Sequence, residues 1–245
     1  MKKMLEKFVS LNVKQTKAFD RRFPYFVHKT SYRDKLLSLI DDFINKRQLS
    51  HVLEIGGIDR PLLKKSKNIE YYGLDIEHND RCEELYDHFQ VQSIEEPISG
   101  TYDLIVSVAL LEHVQNNTLS FANMHKALKT KGCIIHYTPS KYHPYSLILR
   151  FSGPKIQKWL IKALRPWAKQ ITGYPVFFDK CSPNDIKKMS INSGFREIQI
   201  ISFFRANDYF RFFIPAYILV TLWENICRRL KLVQLCSGFI IVARK

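Results

Sequence analysis

Glu54, Gly56, Gly57 and Asp75 are the residues of this 245-residue chain whose types and spacing could do chemistry. In Val52-Leu53-Glu54-Ile55-Gly56-Gly57 an apolar run meets an acidic residue and then two glycines. Glycine at such a turn lets the backbone bend sharply and lets a ligand approach with no Cβ in the way. The next run, Glu70 to Ile76, carries Asp75 eighteen residues beyond Gly57. A carboxylate at that strand end can accept hydrogen bonds from both hydroxyls of a ribose. The chemistry is recognition of a nucleoside-bearing cofactor, and NAD and S-adenosylmethionine both fit these residues. His113, in Leu111-Glu112-His113, follows the apolar run 102–108, where a neutral imidazole could take a hydroxyl proton. Tyr142 and His143 follow the run 133–138 and could face an acceptor, whereas His136 inside that run reads as a core histidine. The eight histidines show no metal-ligand spacing, and no metal site is expected.

These residues need elements to position them. Arg33 to Arg47 places Leu36, Leu37, Ile40, Phe43 and Ile44 at helical spacing. Short apolar runs at 51–57, 70–76, 86–92, 102–108 and 133–138 read as strands, with a helix over 121–130 between the last two. Such strands are apolar rather than alternating, which means a parallel sheet covered by helices on both faces. A capped helix is expected over 182–195, and two further strands over 195–204 and 237–245. The segments divide into a helical lead-in (1–50), a cofactor-binding core (51–140), a basic helical insertion or cap (141–180) and a C-terminal part completing the sheet (181–245).

Composition bounds the rest. With 46% hydrophobic and 25% charged residues the chain is globular, which excludes wholesale disorder. Its five cysteines are scattered with no Cys-x-x-Cys pair, so buried thiols in a reducing compartment are expected rather than disulfides or zinc. The first twenty residues are basic without an apolar stretch of signal-peptide length, and a cytoplasmic location is expected. The formal charge of +15 could serve nucleic acid, an anionic membrane surface or an anionic substrate.

Taken in order, the runs resemble the class I S-adenosylmethionine-dependent methyltransferases. VLEIGG is similar to that family's first motif, YYGLDI to its second, and QSIEEPI (92–98) to the loop that covers the adenine. YDLIVSVALLEHV (102–114) resembles the fourth motif, and HKALKTKGCIIHYTP (125–139) the helix, turn and fifth strand after it. The resemblance implies an α/β fold: a Rossmann-like three-layer sandwich whose seven-stranded sheet is mostly parallel, with an antiparallel C-terminal strand. It implies S-adenosylmethionine as cofactor, with Glu54 and the Gly56-Gly57 turn on the methionine part and Asp75 on the ribose. Ser93 and Ile94 fall beside the adenine, and Asp59, Ile76, Ser107 and Val108 complete the cofactor set. The chain departs from the family where Ile58 and Arg60 replace two further glycines, giving a stiffer and bulkier loop. His113 is the expected catalytic base and His143 a second candidate.

The acceptor is expected to be a hydroxyl on a small molecule or a lipid-linked or surface glycan precursor. Ser107-Val108-Ala109 is unlike the Asn/Asp-Pro-Pro-Tyr of amino-directed nucleic-acid enzymes, and no Pro-Cys nucleophile follows. GYPVFFDKCSP (173–183) resembles bacterial methyltransferases of surface polysaccharide synthesis. Residues 141–170 hold seven basic residues, no acidic one, and interspersed Leu, Ile and Trp. With 209–226 they could make peripheral contact at the inner face of a membrane. The uncharged run from Phe212 to Trp223 is 12 residues, against roughly 20 for a span. Methyl transfer to RNA and a non-catalytic cofactor-binding protein are the alternatives, though nucleic acid is not the expected partner.

Overall fold

The apolar runs lie side by side in the computed structural model, which describes residues 2–27, 31–58, 60–148, 150–151 and 174–245. They form β1 (His51–Ile55), β2 (Glu70–Asp75), β3 (His88–Val91), β4 (Tyr102–Val108) and β5 (Leu128–Pro139), joined at the far edge by β6 (Arg196–Phe203) and β7 (Gly238–Arg244). The sheet order is β3-β2-β1-β4-β5-β7-β6, and β1 to β5 pair in parallel. The C-terminal pair runs antiparallel. Lys245 N–H reaches the Gly132 carbonyl at the start of β5, while Ser140 N–H at its end reaches the Ser237 carbonyl. Ser237 N–H also reaches the Phe203 carbonyl at the end of β6, so β7 runs antiparallel to both its neighbours, and the expected fold class is the observed one. Between β1 and β4 the strand order reverses, and open α/β sheets bind their ligands at the carboxyl ends of such a pair.

Burial explains the sheet. Val52, Leu53, Leu104, Ile105, Val106, Ile134, Ile135, Ile240 and Ile241 are all fully buried, and each such side chain stabilises the fold by about 1.5–3 kcal/mol. Helix α2 (Tyr32–Arg47) buries Leu36 and Ile40, and the Ser31 hydroxyl caps it by accepting from Asp34 N–H at 3.3 Å. Helix α3 (Cys82–Leu85) is one turn. Helix α4 spans Asn117–Ala127, so the expected helix 121–130 starts and ends earlier. The Asn116 side chain accepts from Leu119 N–H at 3.1 Å and nucleates it. Leu128 is already paired with Tyr102, and a register shift between Tyr102 and Leu104 brings β5 back into line at Cys133. Helix α5 (Pro183–Asn192) has Pro183 at its start, Ser182 as cap and Gly194 (φ 97°) beyond its end.

The chain forms two compact units. A core unit comprises Ser31–Pro139, Phe177–Ile201 and Phe239–Lys245; a helical unit comprises Met1–Thr30, Ser140–Val176 and Ser202–Gly238. In the latter, α1 (Lys2–Arg22) runs beside α6 (Ile214–Arg229), and Phe210, Tyr217 and Val220 form its small core with Phe19 and Tyr145 against them. The 209–223 aromatic stretch is thus the 3-10 turn Asn207–Phe210 followed by most of α6. Most of the expected 141–170 insertion lies outside the described residues. All five cysteines are free and buried. No helix among the described residues is long and apolar enough to cross a membrane.

Candidate active site

Where β1 ends, Gly56 takes φ 81° and its N–H continues the ladder to the Leu74 carbonyl at 2.9 Å. A Cβ on Gly56 would meet Leu110 Cδ1 at 3.0 Å, so the loops after β1 and β4 touch at the reversal of strand order. A Cβ on Gly57 would fall on the Tyr86 hydroxyl and 2.6 Å from Glu54 Oε1. Ile58 follows with φ 37°, a left-handed conformation that a β-branched residue adopts only when its surroundings impose it. Glu54 is buried beneath this loop. It accepts from Leu62 N–H at 2.9 Å and from the Tyr71 hydroxyl, which ties residues 56–62 to β2. Burial pushes its carboxyl up to about 7, against the pull of those hydrogen bonds.

Asp75 stands half-buried at the end of β2, and its Oδ1 accepts from Glu77 N–H at 3.1 Å. Burial raises its pKa above the usual carboxylate range. Ile76 beside it is exposed. After β3 the Ser93 hydroxyl accepts from Glu95 N–H at 3.1 Å, and the buried Ile94 gives its carbonyl to Asn123 Nδ2 at 3.2 Å. That turn is fixed to α4, and it faces the same strand ends as Asp75 through the bond from Gln92 N–H to the Asp75 carbonyl.

At the end of β4, Ser107 is fully buried, Val108 half-buried, and Ala109 takes φ 52°. Ser107 Oγ lies 2.7 Å from His136 Nδ1. Burial depresses that imidazole to about 3, so it is neutral, and its Nε2 has no hydrogen-bond partner among the described residues. Glu112 is buried, accepts from the Thr138 hydroxyl at 3.3 Å, and places Oε1 4.0 Å from His113 Nε2. Burial pushes Glu112 up to about 7. Its carbonyl takes both Phe177 and Phe178 N–H groups, at 2.8 and 3.0 Å. Asn117 Nδ2 donates to the Leu111 and Asp179 carbonyls at 2.8 and 2.7 Å, so residues 177–179 are held against the turn carrying His113.

The strand ends thus gather Gly56, Gly57, Asp75, Ser93, Ile94, Ser107, Val108 and His113 in the core unit. Asp59 lies outside the described residues. His143 belongs to the helical unit, where it is 1% exposed, accepts Tyr145 N–H on Nδ1 and pairs with Glu224 at 3.3 Å. Glu112, Thr138, Tyr71, Tyr86 and Asn117 went unread in the sequence. For Glu112 a signal existed, an acidic residue directly before the histidine that follows β4. Among the described residues no group of His, Cys, Asp or Glu could hold a metal ion.

Residues 26–209 match the profile of the methyltransferase domain family, three quarters of the chain. The chain belongs to this family. Among solved structures, a S-adenosylmethionine-dependent methyltransferase from Archaeoglobus fulgidus is 17% identical (TM-score 0.51), over 94% of this chain and 99% of that one. The CurJ carbon methyltransferase is 14% identical (TM-score 0.54), over 86% of this chain and 53% of its own. A Haemonchus contortus phosphoethanolamine N-methyltransferase 2, in complex with phosphomonomethylethanolamine and S-adenosylhomocysteine, is 13% identical (TM-score 0.53), over 86% and 52%. This methyltransferase therefore spans about half the length of the last two, and at such identities the likeness shows the fold. Among curated proteins none matches it at the sequence level.

S-adenosylmethionine is the cofactor of this family, and the residues present fit it. Asp75, desolvated at the β2 end, would hold the ribose hydroxyls, and Gly56 offers backbone with no Cβ at the reversal of strand order. Ile58 follows in the left-handed conformation, and Glu54 supports that loop from beneath through Leu62 and Tyr71.

Proposed function

We propose that the methyltransferase transfers the methyl of S-adenosylmethionine to a hydroxyl, on a small molecule or a lipid-linked or surface glycan precursor, with His113 as the base. The observation that carries this reading is the 4.0 Å approach of Glu112 Oε1 to His113 Nε2 at the end of β4. A hydroxyl needs a base because its proton must leave as the new bond forms. S-adenosylmethionine supplies an electrophilic methyl group when bound. His113 takes the acceptor proton on its imidazole, and ionised Glu112 holds the resulting positive charge. The Thr138 hydroxyl fixes the Glu112 carboxylate, and the strand-end backbone around Gly56 and Ala109 orients the reactants, which supplies much of the acceleration in a direct displacement.

The test is turnover of tritiated S-adenosylmethionine with polyprenyl-linked and free sugars, wild type against His113→Ala. A fall in kcat of about 10²–10⁴, the range for a general base, with cofactor affinity kept, supports the reading. Unchanged kcat with an accepted hydroxyl substrate removes His113 from it. The protein works in the cytoplasm at the inner face of a membrane under this proposal. Methyl transfer to RNA is a second reading, favoured by the charge of +15, and steeply salt-dependent RNA affinity would support it.

A further inference from the structure

The helical unit presents apolar side chains where a solvent-facing helix ordinarily carries charge. On α6, Tyr217, Val220, Thr221, Glu224 and Cys227 turn inward, while Leu219, Leu222, Trp223 and Ile226 stand on the opposite side, with Leu230 in line beyond the helix end. Leu219 is 67% exposed and Ile226 44%. On α1 the pattern repeats: Val9, Asn12 and Thr16 are buried, and Met4, Phe8 and Leu11 are exposed at spacings of four and three. A helix apolar on both faces has a second surface to cover.

The two stripes belong to one assembled piece. Asn12 Oδ1 accepts from Ile214 N–H at 3.0 Å at the start of α6, and Asn225 Nδ2 donates to the Phe26 carbonyl at 2.7 Å. Asp20 takes the Arg211 guanidinium at 2.8 Å and the Tyr217 hydroxyl. The exposed rings of Phe8 and Phe213 stack with centroids 6.4 Å apart, which joins the α1 stripe to the start of α6.

Charge names the occupant. The sequence segments of this unit hold twenty basic and four acidic residues, a formal excess of +16. Of the four acids only Glu6 is exposed; Asp20 and Asp208 hold Arg211, and Glu224 holds His143. Lys3, Lys7 and Lys14 lie exposed on α1, and Arg228, Arg229 and Lys231 lie exposed at the end of α6.

We propose that the outer stripes of α1 and α6 form a docking face for an anionic lipid bilayer, with both helices lying in the headgroup plane. Apolar side chains then enter the acyl boundary while the lysines and arginines meet phosphate. A second copy of the chain would bring one strongly positive surface against another. Single-stranded nucleic acid stacks on aromatic rings, whereas the outer face of α6 is mostly leucine and isoleucine. The inference takes its purpose from the membrane-presented acceptor proposed above, but docking is measured without methyl transfer, so either can fail alone.

The test is flotation of the full chain with phosphatidylcholine vesicles containing phosphatidylglycerol, and with phosphatidylcholine vesicles alone. The wild type should float with the anionic vesicles only. The double substitutions Leu219→Glu/Ile226→Glu and Met4→Glu/Leu11→Glu should each lower that binding at least tenfold, with S-adenosylmethionine affinity unchanged as the sign of a folded chain. No flotation of the wild type overturns the proposal, as does flotation that survives both variants. So does a loss of RNA affinity, or of a dimer in light scattering, in variants whose parent never bound vesicles.

Discussion

The core unit and the helical unit divide the charge of this methyltransferase unequally. The core segments carry 18 basic and 19 acidic residues, a balance of −1, and the helical segments carry the +16. The core buries hydrogen-bonded carboxyls, Glu54 beneath the loop after β1 and Glu112 beside His113. Among its described residues the helical unit exposes Lys3, Lys7, Lys14, Arg228, Arg229 and Lys231 together with many of its large apolar side chains. The net charge of +15 thus belongs to the helical segments and says little about the core.

The largest effect expected from this contrast concerns Glu112. Burial raises it from 4.5 to about 7, so the folded core holds more protons than the unfolded chain between those values. Its contribution is complete below about pH 4.5 and is lost as pH rises through about 7, on the order of 3 kcal/mol. Glu112→Gln should lack that fall when urea midpoints are compared at pH 5 and pH 8; identical pH dependence in both proteins would contradict the burial argument. Next, Gly57→Ala pushes a Cβ onto Tyr86 and Glu54. It should destabilise the core by about 1–3 kcal/mol and weaken S-adenosylmethionine binding about a hundredfold, about 2.7 kcal/mol. Calorimetric titration at wild-type affinity would show that the loop does not carry the cofactor. Asp75→Ala should raise the Kd at least tenfold, about 1.4 kcal/mol. At the small end, Lys3→Ala with Lys7→Ala should change thermal stability by no more than about 0.5 kcal/mol and leave cofactor affinity alone. A larger change would mean that the helical unit's charge is structural.

Legibility in the sequence followed the same division. β1 and β4 were readable because strands covered on both faces are continuous apolar runs, and Glu54 and Asp75 were readable because they sit at the ends of such runs. The boundary of α4 and β5 was not: Leu128-Lys129-Thr130 continues the helical composition, and only pairing with Tyr102 pulls it into a strand. Glu112 needed Thr138, 26 residues on, before it read as more than a neighbour of His113. His143 looked like an acceptor-facing loop residue, and its partner Glu224 is 81 residues away. The apolar run at 212–223 showed itself at once, but one face of a helix cannot be assigned to solvent until the other has found its core, here Phe210, Tyr217 and Val220.

We propose that cofactor recognition resides in the core unit, at Asp75, independent of the apolar face of α6. Calorimetric titration of S-adenosylmethionine into the wild type, Asp75→Ala and Leu219→Glu/Ile226→Glu tests it most directly. Micromolar binding is expected for the wild type, at least tenfold weaker binding for Asp75→Ala, and wild-type binding for the double variant. Equal affinity for wild type and Asp75→Ala, or loss of affinity in the double variant, would contradict it.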